Sequence, residues 1–231
     1  MVINIIKAWQ GAALLLGLAA CGGQDATTLS ATSGAAEPAG SDPSAPTDVS
    51  VQESTASSPP VVAEVLQSQH VQTQRLPDGS FASEVNATDP QRWVYFSLQS
   101  RQEVTPELPE RSPSWDLGFQ RSNVKVNSGA SGAGNVRVAV ASGPFESLSE
   151  APAGGYLADA ADTDLDGSSD YAFSAGDGWY DYDPATHLLT ARDTVFVVQT
   201  PGGAFKLQFS SYYDRAGTPG MPQFRWAPLG S

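Results

Sequence analysis

The stretch "DTDLDGSSD", Asp162 to Asp170, sets Asp162, Asp164 and Asp166 at alternate positions, follows them with Gly167 and adds Asp170. Alternate spacing lets three carboxylates turn toward one hard cation, and the glycine permits a sharp turn. The pattern matches the first nine positions of a Ca2+-binding loop. Phe173 stands where a bidentate carboxylate would complete the cage. A solvated acidic turn is the competing reading. Two further chemistries have less behind them. "GASGAG", Gly129 to Gly134, has the glycine density of a phosphate loop. It lacks the Lys-Ser/Thr ending, however, and runs into "VRVAV", a strand pattern, so it reads as a flexible connection between strands. His70 and His187 are the only histidines, and no serine sits in a Gly-x-Ser-x-Gly elbow. Nucleophilic catalysis therefore has no support, and the chain reads as a non-enzyme.

Cys21 is the only cysteine. It ends the apolar run Gly11 to Ala20, which follows a segment carrying one cation, Lys7. That is the layout of an export signal, too short for a permanent span, which needs roughly 20 apolar residues. Leu18-Ala19-Ala20-Cys21 resembles the lipobox of bacterial lipoproteins. The resemblance implies cleavage before Cys21 and lipid on its thiol, an attachment strengthened by ~0.8 kcal/mol per buried methylene. Residues 1–20 are then a signal peptide. Gly22 after the cysteine leans toward outer-membrane sorting, again by resemblance.

The formal charge is −13. That excludes a nucleic-acid partner, whose phosphates need a basic face, and leaves lipid as the membrane attachment. Residues 21–60 are rich in Ser, Thr, Ala, Gly and Pro, and no Lys or Arg occurs between Cys21 and Gln74. Such a composition predicts a disordered tether, with a reach of roughly 35 Å for about 40 residues. Residues 61–231 suffice for one domain.

Short segments rich in β-branched and aromatic residues punctuate that domain: Arg92–Leu98, Trp115–Gln120, Val136–Val140, Gly178–Asp183, Thr194–Thr200 and Ala204–Tyr213. Trp115, Leu117 and Phe119 alternate with Asp116, Gly118 and Gln120, and Phe205, Leu207 and Phe209 alternate with Lys206 and Gln208. "TPGGAF" joins the last two as a hairpin turn, its glycines able to take a positive φ. The prediction is an all-β, antiparallel, sandwich-like domain. Its rings, among them Trp93, Tyr95, Trp179, Tyr180, Tyr182 and Trp226, are enough to fill a core and wall an apolar pocket.

"SWDLGFQRSNVKVNSGASGAGNVRV", "GDGWYDYDPATHLL", "VFVVQTPGGAFKLQFSSYYD" and "PQFRWA" together resemble the HmuY family of bacterial haem-binding lipoproteins, over roughly Trp93 to Ala227. The most specific part is Trp115 to Gly132. The resemblance implies an all-β fold, haem or another porphyrin as ligand, and an outer-membrane TonB-dependent receptor as partner. It also implies an outer-membrane or cell-surface location. Haem-binding members ligate iron through a pair of His or Met side chains. One such position falls close to Pro184 and the other in Asp159 to Asp177, which has neither residue type. The nearest usable ligands are His187 and Met221, with His70 ranking below them. The alternative is a surface module with the fold but without haem ligands, stabilised by Ca2+ and binding a protein or carbohydrate.

Overall fold

The computed structural model describes residues 64–230 other than Asp164, Asp166 and Ser168. The expected signal peptide, the expected lipidation site Cys21 and the expected tether lie outside the described residues. The larger sheet has the order β1 (Val65–Gln67), β2 (Val71–Arg75), β3 (Phe81–Val85), β13 (Pro219–Pro228), β12 (Gly203–Tyr213), β11 (Val195–Thr200), β8 (Arg137–Val140). A smaller sheet has the order β5 (Gln102–Val104), β4 (Val94–Ser97), β6 (Leu117–Gln120), β7 (Asn123–Val126). The third is a hairpin of β9 (Tyr180–Asp183) and β10 (Leu188–Ala191). All pairings are antiparallel. The helical content of the described residues is one 3-10 turn, Ala172–Ser174. This is the all-β, antiparallel fold that the alternating segments predict.

The two larger sheets share a core because each turns one apolar face inward. Phe96 and Phe119 of the smaller sheet meet Phe224 of the larger at ring-centroid distances of 5.9 and 5.4 Å, and Phe96 also meets Trp226 at 5.9 Å. Such offset and edge-on pairs add to the burial of the rings themselves. In β12 the inward set Phe205, Leu207 and Phe209 gives way to Tyr212, because the register shifts between Phe209 and Ser211. An extra residue there reverses which positions face the core.

Alternation fails at Trp115. Leu117 and Phe119 point into the core, whereas the fully buried Trp115 ring packs against Tyr95 at 4.9 Å and under the Lys125 ammonium at 5.4 Å. The reason lies at Asp116. Its Oδ2 accepts the Leu98 N–H at 2.7 Å, which ties the chain to the end of β4 before β6 begins. Lys125 also sits over Trp93 at 4.1 Å, and burial holds its ammonium below the usual lysine value. Gly118 leaves room for that stem, since a Cβ there would lie 2.9 Å from Lys125 Cε.

The glycine-rich stretch is not a flexible connection. Asn127 is fully buried; its amide donates to Ser112 O at 2.8 Å and Trp115 O at 2.7 Å and accepts the Gly134 N–H at 3.0 Å. The loop wraps this side chain so closely that a Cβ on Gly132 would fall 2.0 Å from Asn127 Oδ1. Gly129, at φ 59°, lies against the Asp159 carbonyl, which accepts the Ala130 N–H at 2.9 Å. Buried polar groups must be paired, and the loop exists to pair them. Asp159 extends the knot by accepting Val126 N–H through Oδ2 and Ala172 N–H through Oδ1, both at 2.9 Å. The 3-10 turn, and the chain that runs from it into β9, are thereby pinned to β7.

Candidate functional site

The β9–β10 hairpin docks by its base. Tyr180, Leu189 and Ala191 pack against the main core, and the Leu189 N–H donates to the Tyr213 hydroxyl at 3.0 Å. Trp179, one residue before β9, is buried against Phe209 at 4.4 Å, and its indole N–H donates to Ser122 O at 3.1 Å. Arg192, just after β10, pairs with Asp181 and lies 4.0 Å from Asp177. The distal residues are exposed, Tyr182 at 51% and Leu188 at 52%.

"DPATH" makes the turn. Asp183 accepts the Ala185 N–H at 2.8 Å and the Thr186 hydroxyl at 2.7 Å, while His187 N–H donates to Asp183 O at 2.8 Å. Asp-Pro is a natural turn opener because the carboxylate caps the following amides and proline presets φ. Those hydrogen bonds, from the Thr186 hydroxyl first and the Ala185 amide next, hold the Asp183 carboxyl below its usual value. Its charge stays in the turn. His187 closes the turn at φ 59°, the left-handed region where glycine or asparagine is the ordinary choice.

This conformation brings His187 back onto the strand. Its Nδ1 lies 2.6 Å from the Tyr182 hydroxyl, with the rings 6.1 Å apart. The register pairs Tyr182 with Leu189, so the phenol emerges at the distal end of the face that docks. The Nε2 of His187 has no hydrogen-bond partner among the described residues. A phenol and an imidazole coupled at an exposed tip offer a Lewis-acidic metal centre one anionic oxygen or one neutral nitrogen.

Met221, in β13, is not brought to this pair. It lines a cavity of about 170 Å³ together with His70 and Glu84, and no hairpin residue contributes to that wall. His70 is a structural tie: its Nδ1 and backbone N–H both meet the Glu103 carboxylate at 2.7 Å, linking the β1–β2 turn to β5. In the acidic loop, Asp162 accepts the Gly167 N–H at 2.9 Å, and Asp170 accepts the Thr163 N–H at 3.0 Å as well as its hydroxyl. Asp164 and Asp166 lie outside the described residues. Among the described residues no group of three or more His, Cys, Asp or Glu is gathered to hold a metal ion.

Among the described residues, two of the cavities have room for ring systems. One of about 650 Å³ lies where Leu98, Phe205, Trp226 and Leu229 meet the β11–β12 turn. None of the described residues in its wall is a His, Met, Cys or Tyr. The other, of about 350 Å³, is enclosed by Val138, Val140 and Phe196 on one side and Leu157, Ala172 and Ala175 on the other. Its rim is apolar and open, with Val140 61% and Leu157 47% exposed. From Ala175 the chain runs straight into β9. Tyr182 as partner of His187 was readable in principle, because "YDPATH" places a turn opener between them.

A family model, HmuY protein, matches residues 89–226. A crystal structure of an apo HmuY analogue from Tannerella forsythia superposes with a TM-score of 0.51 at 14% identity, covering 66% of this chain and 96% of that one. A protein described as HmuY-like and heme-binding, from Bacteroides vulgatus, gives 0.47 at 18% identity, covering 66% and 93%. A lipoprotein structure from Bacteroides fragilis gives 0.47 at 20% identity, covering 66% and 91%. None of the curated proteins matches. With more than half its length inside the family model, the strands β4 to β12 and the glycine knot included, this chain belongs to the HmuY family.

Proposed function

We propose that the chain is a non-catalytic haem carrier, anchored at the outer membrane or cell surface through lipid on Cys21. It captures haem or a related porphyrin at the β9–β10 hairpin and passes it to a TonB-dependent receptor. Family membership supports the ligand class. The observation that carries the site is the exposed Tyr182–His187 pair, held at 2.6 Å by a strained turn. Ligation from one side suffices for capture, because burial of porphyrin edges on apolar surface adds ~25 cal/mol per Å². Leu188, next to His187 and 52% exposed, supplies surface of that kind. An exposed tip also suits hand-over, since a receptor can reach the ligand without opening the fold.

Titration of ferric haem into the full chain tests this reading. A Soret band shifted from that of free haem is expected, with high-spin features in place of a two-ligand low-spin pattern. His70→Ala should leave the band in place, because that imidazole is committed to Glu103. Absence of any shift at micromolar haem rejects the carrier. The anchor is tested separately by metabolic palmitate labelling, which Cys21→Ser should abolish; equal labelling removes the anchor.

A further inference from the structure

The geometry points to Tyr182, not His187, as the residue that binds iron: its phenol oxygen coordinates ferric haem while His187 Nδ1 takes the phenolic proton. This inference rests on the haem-carrier reading and specifies its chemistry. In the proton balance, the Tyr182 O–H bond breaks, the proton passes along the existing 2.6 Å hydrogen bond to Nδ1, and an iron–oxygen bond forms. No electron is transferred. The imidazole becomes an imidazolium, and the phenolate offsets the positive charge of the ferric porphyrin centre.

Three features favour this assignment over imidazole ligation. Tyr182 belongs to a paired strand, in register with Leu189, whereas His187 sits in the turn; a ligand on a regular element is held more rigidly than one on a loop. The turn is also fixed by hydrogen bonds of its own, the His187 N–H to Asp183 O and the Ala185 N–H to the Asp183 carboxylate, both at 2.8 Å, so the imidazole is held in reach of the phenol. Finally, no second imidazole or thioether of the described residues reaches the tip, since Met221 lies in another cavity wall with His70. A single anionic oxygen suits five-coordinate ferric haem, and tyrosine is an established haem-ligand type. The positive φ of His187 fits this division of labour. The left-handed backbone aims a ring nitrogen at the phenol, a use of local strain that functional sites show repeatedly.

The test compares Tyr182→Phe and His187→Ala in the full chain, read by visible absorption and resonance Raman of ferric haem. Thermal melts confirm that both variants fold. The wild type should show a phenolate-to-iron charge-transfer band and phenolate Raman modes. Tyr182→Phe should lose both and bind haem at least about tenfold more weakly, while His187→Ala should keep the phenolate modes and lose about tenfold in affinity, the usual effect of removing a ligand's supporting partner. Gallium(III) protoporphyrin should follow the same ranking, and reduction of the haem to the ferrous state should release it. If Tyr182→Phe retains the wild-type spectrum while His187→Ala loses it, iron sits on His187 and the inference is overturned with the carrier intact. If the wild type gives no Soret shift, the carrier reading is overturned and this assignment falls with it.

Discussion

Both oxygens of Asp159 accept backbone N–H groups from different segments, Val126 and Ala172, in a site where Asp159 is 2% exposed. Asp159→Ala leaves two buried donors unmade and should cost about 2–4 kcal/mol in denaturant unfolding. Burial raises the carboxyls of Asp159 and Asp116 above their ordinary value. Groups of this sign contribute stability fully below the unfolded value near 3.8 and lose it as pH rises through the folded value. The advantage of the wild type over Asp159→Asn in melting temperature should therefore shrink from pH 4 toward neutrality, and a difference that grows would contradict the burial argument. Asp78 has the opposite sign. The Ser80 hydroxyl and N–H, followed by Arg225, hold its carboxyl at about 2. Its contribution is present above 3.8 and lost as pH falls through about 2, so the advantage over Asp78→Asn should shrink on acidification. His187 gives a third test at this scale. A left-handed non-glycine residue costs about 1–2 kcal/mol, so His187→Gly should raise the melting temperature while weakening haem binding.

At the scale of elements, the glycine knot and the hairpin respond differently to substitution. Gly129→Ala would place a Cβ 1.9 Å from the Asp159 carbonyl at a positive φ, and Gly132→Ala would place one 2.0 Å from Asn127 Oδ1. Each should destabilise by more than about 2 kcal/mol, because neither neighbour can move without losing a buried hydrogen bond. Gly154, with open space around it, should accept alanine with little change, and urea unfolding of the three variants checks the ranking. This contrast also explains what the sequence made legible. Segments with β-branched and aromatic density, such as Val195–Thr200 and Gly203–Tyr213, announce themselves as strands. β2 and β3 do not, because "VQTQR" and "FASEV" bury small or polar residues such as Thr73 and Ser83, which bond each other across the pair at 2.9 Å. β13 hides behind its prolines, which fall at its ends and beside the register shift opposite Ser211. The motif Trp115 to Gly132 identified the family, but its physical role around Asn127 depends on contacts with Ser112, Trp115 and Asp159 that no local pattern encodes. At the site, His187 was visible by residue type and the Asp-Pro turn beside it by its motif, whereas the left-handed φ that carries the imidazole onto Tyr182 was not.

For the molecule as a whole, stability rests on the contact between the two larger sheets, and Phe224 stands at its centre, packed against Phe96, Phe119 and Phe209. Phe224→Ala should cost about 3–5 kcal/mol and lower the midpoint of a single unfolding transition, since both sheets lose the same ring. A second transition would show that the sheets fold separately. The β9–β10 hairpin should melt with the rest, because its base is tied to that core through Trp179 and Phe209. One consequence follows from where β13 lies. It is the last strand described, yet it occupies an interior position of the larger sheet, between β3 and β12, and brings Phe224 and Trp226 to the core. The β1–β3 portion emerges from the ribosome without its partner, and the sheet stays open until Pro228 has been synthesised. Closing such sequence-distant pairs is slow. The strand order therefore makes closure of the larger sheet a late event of folding, one that waits for the C-terminal strand to pair on both its edges.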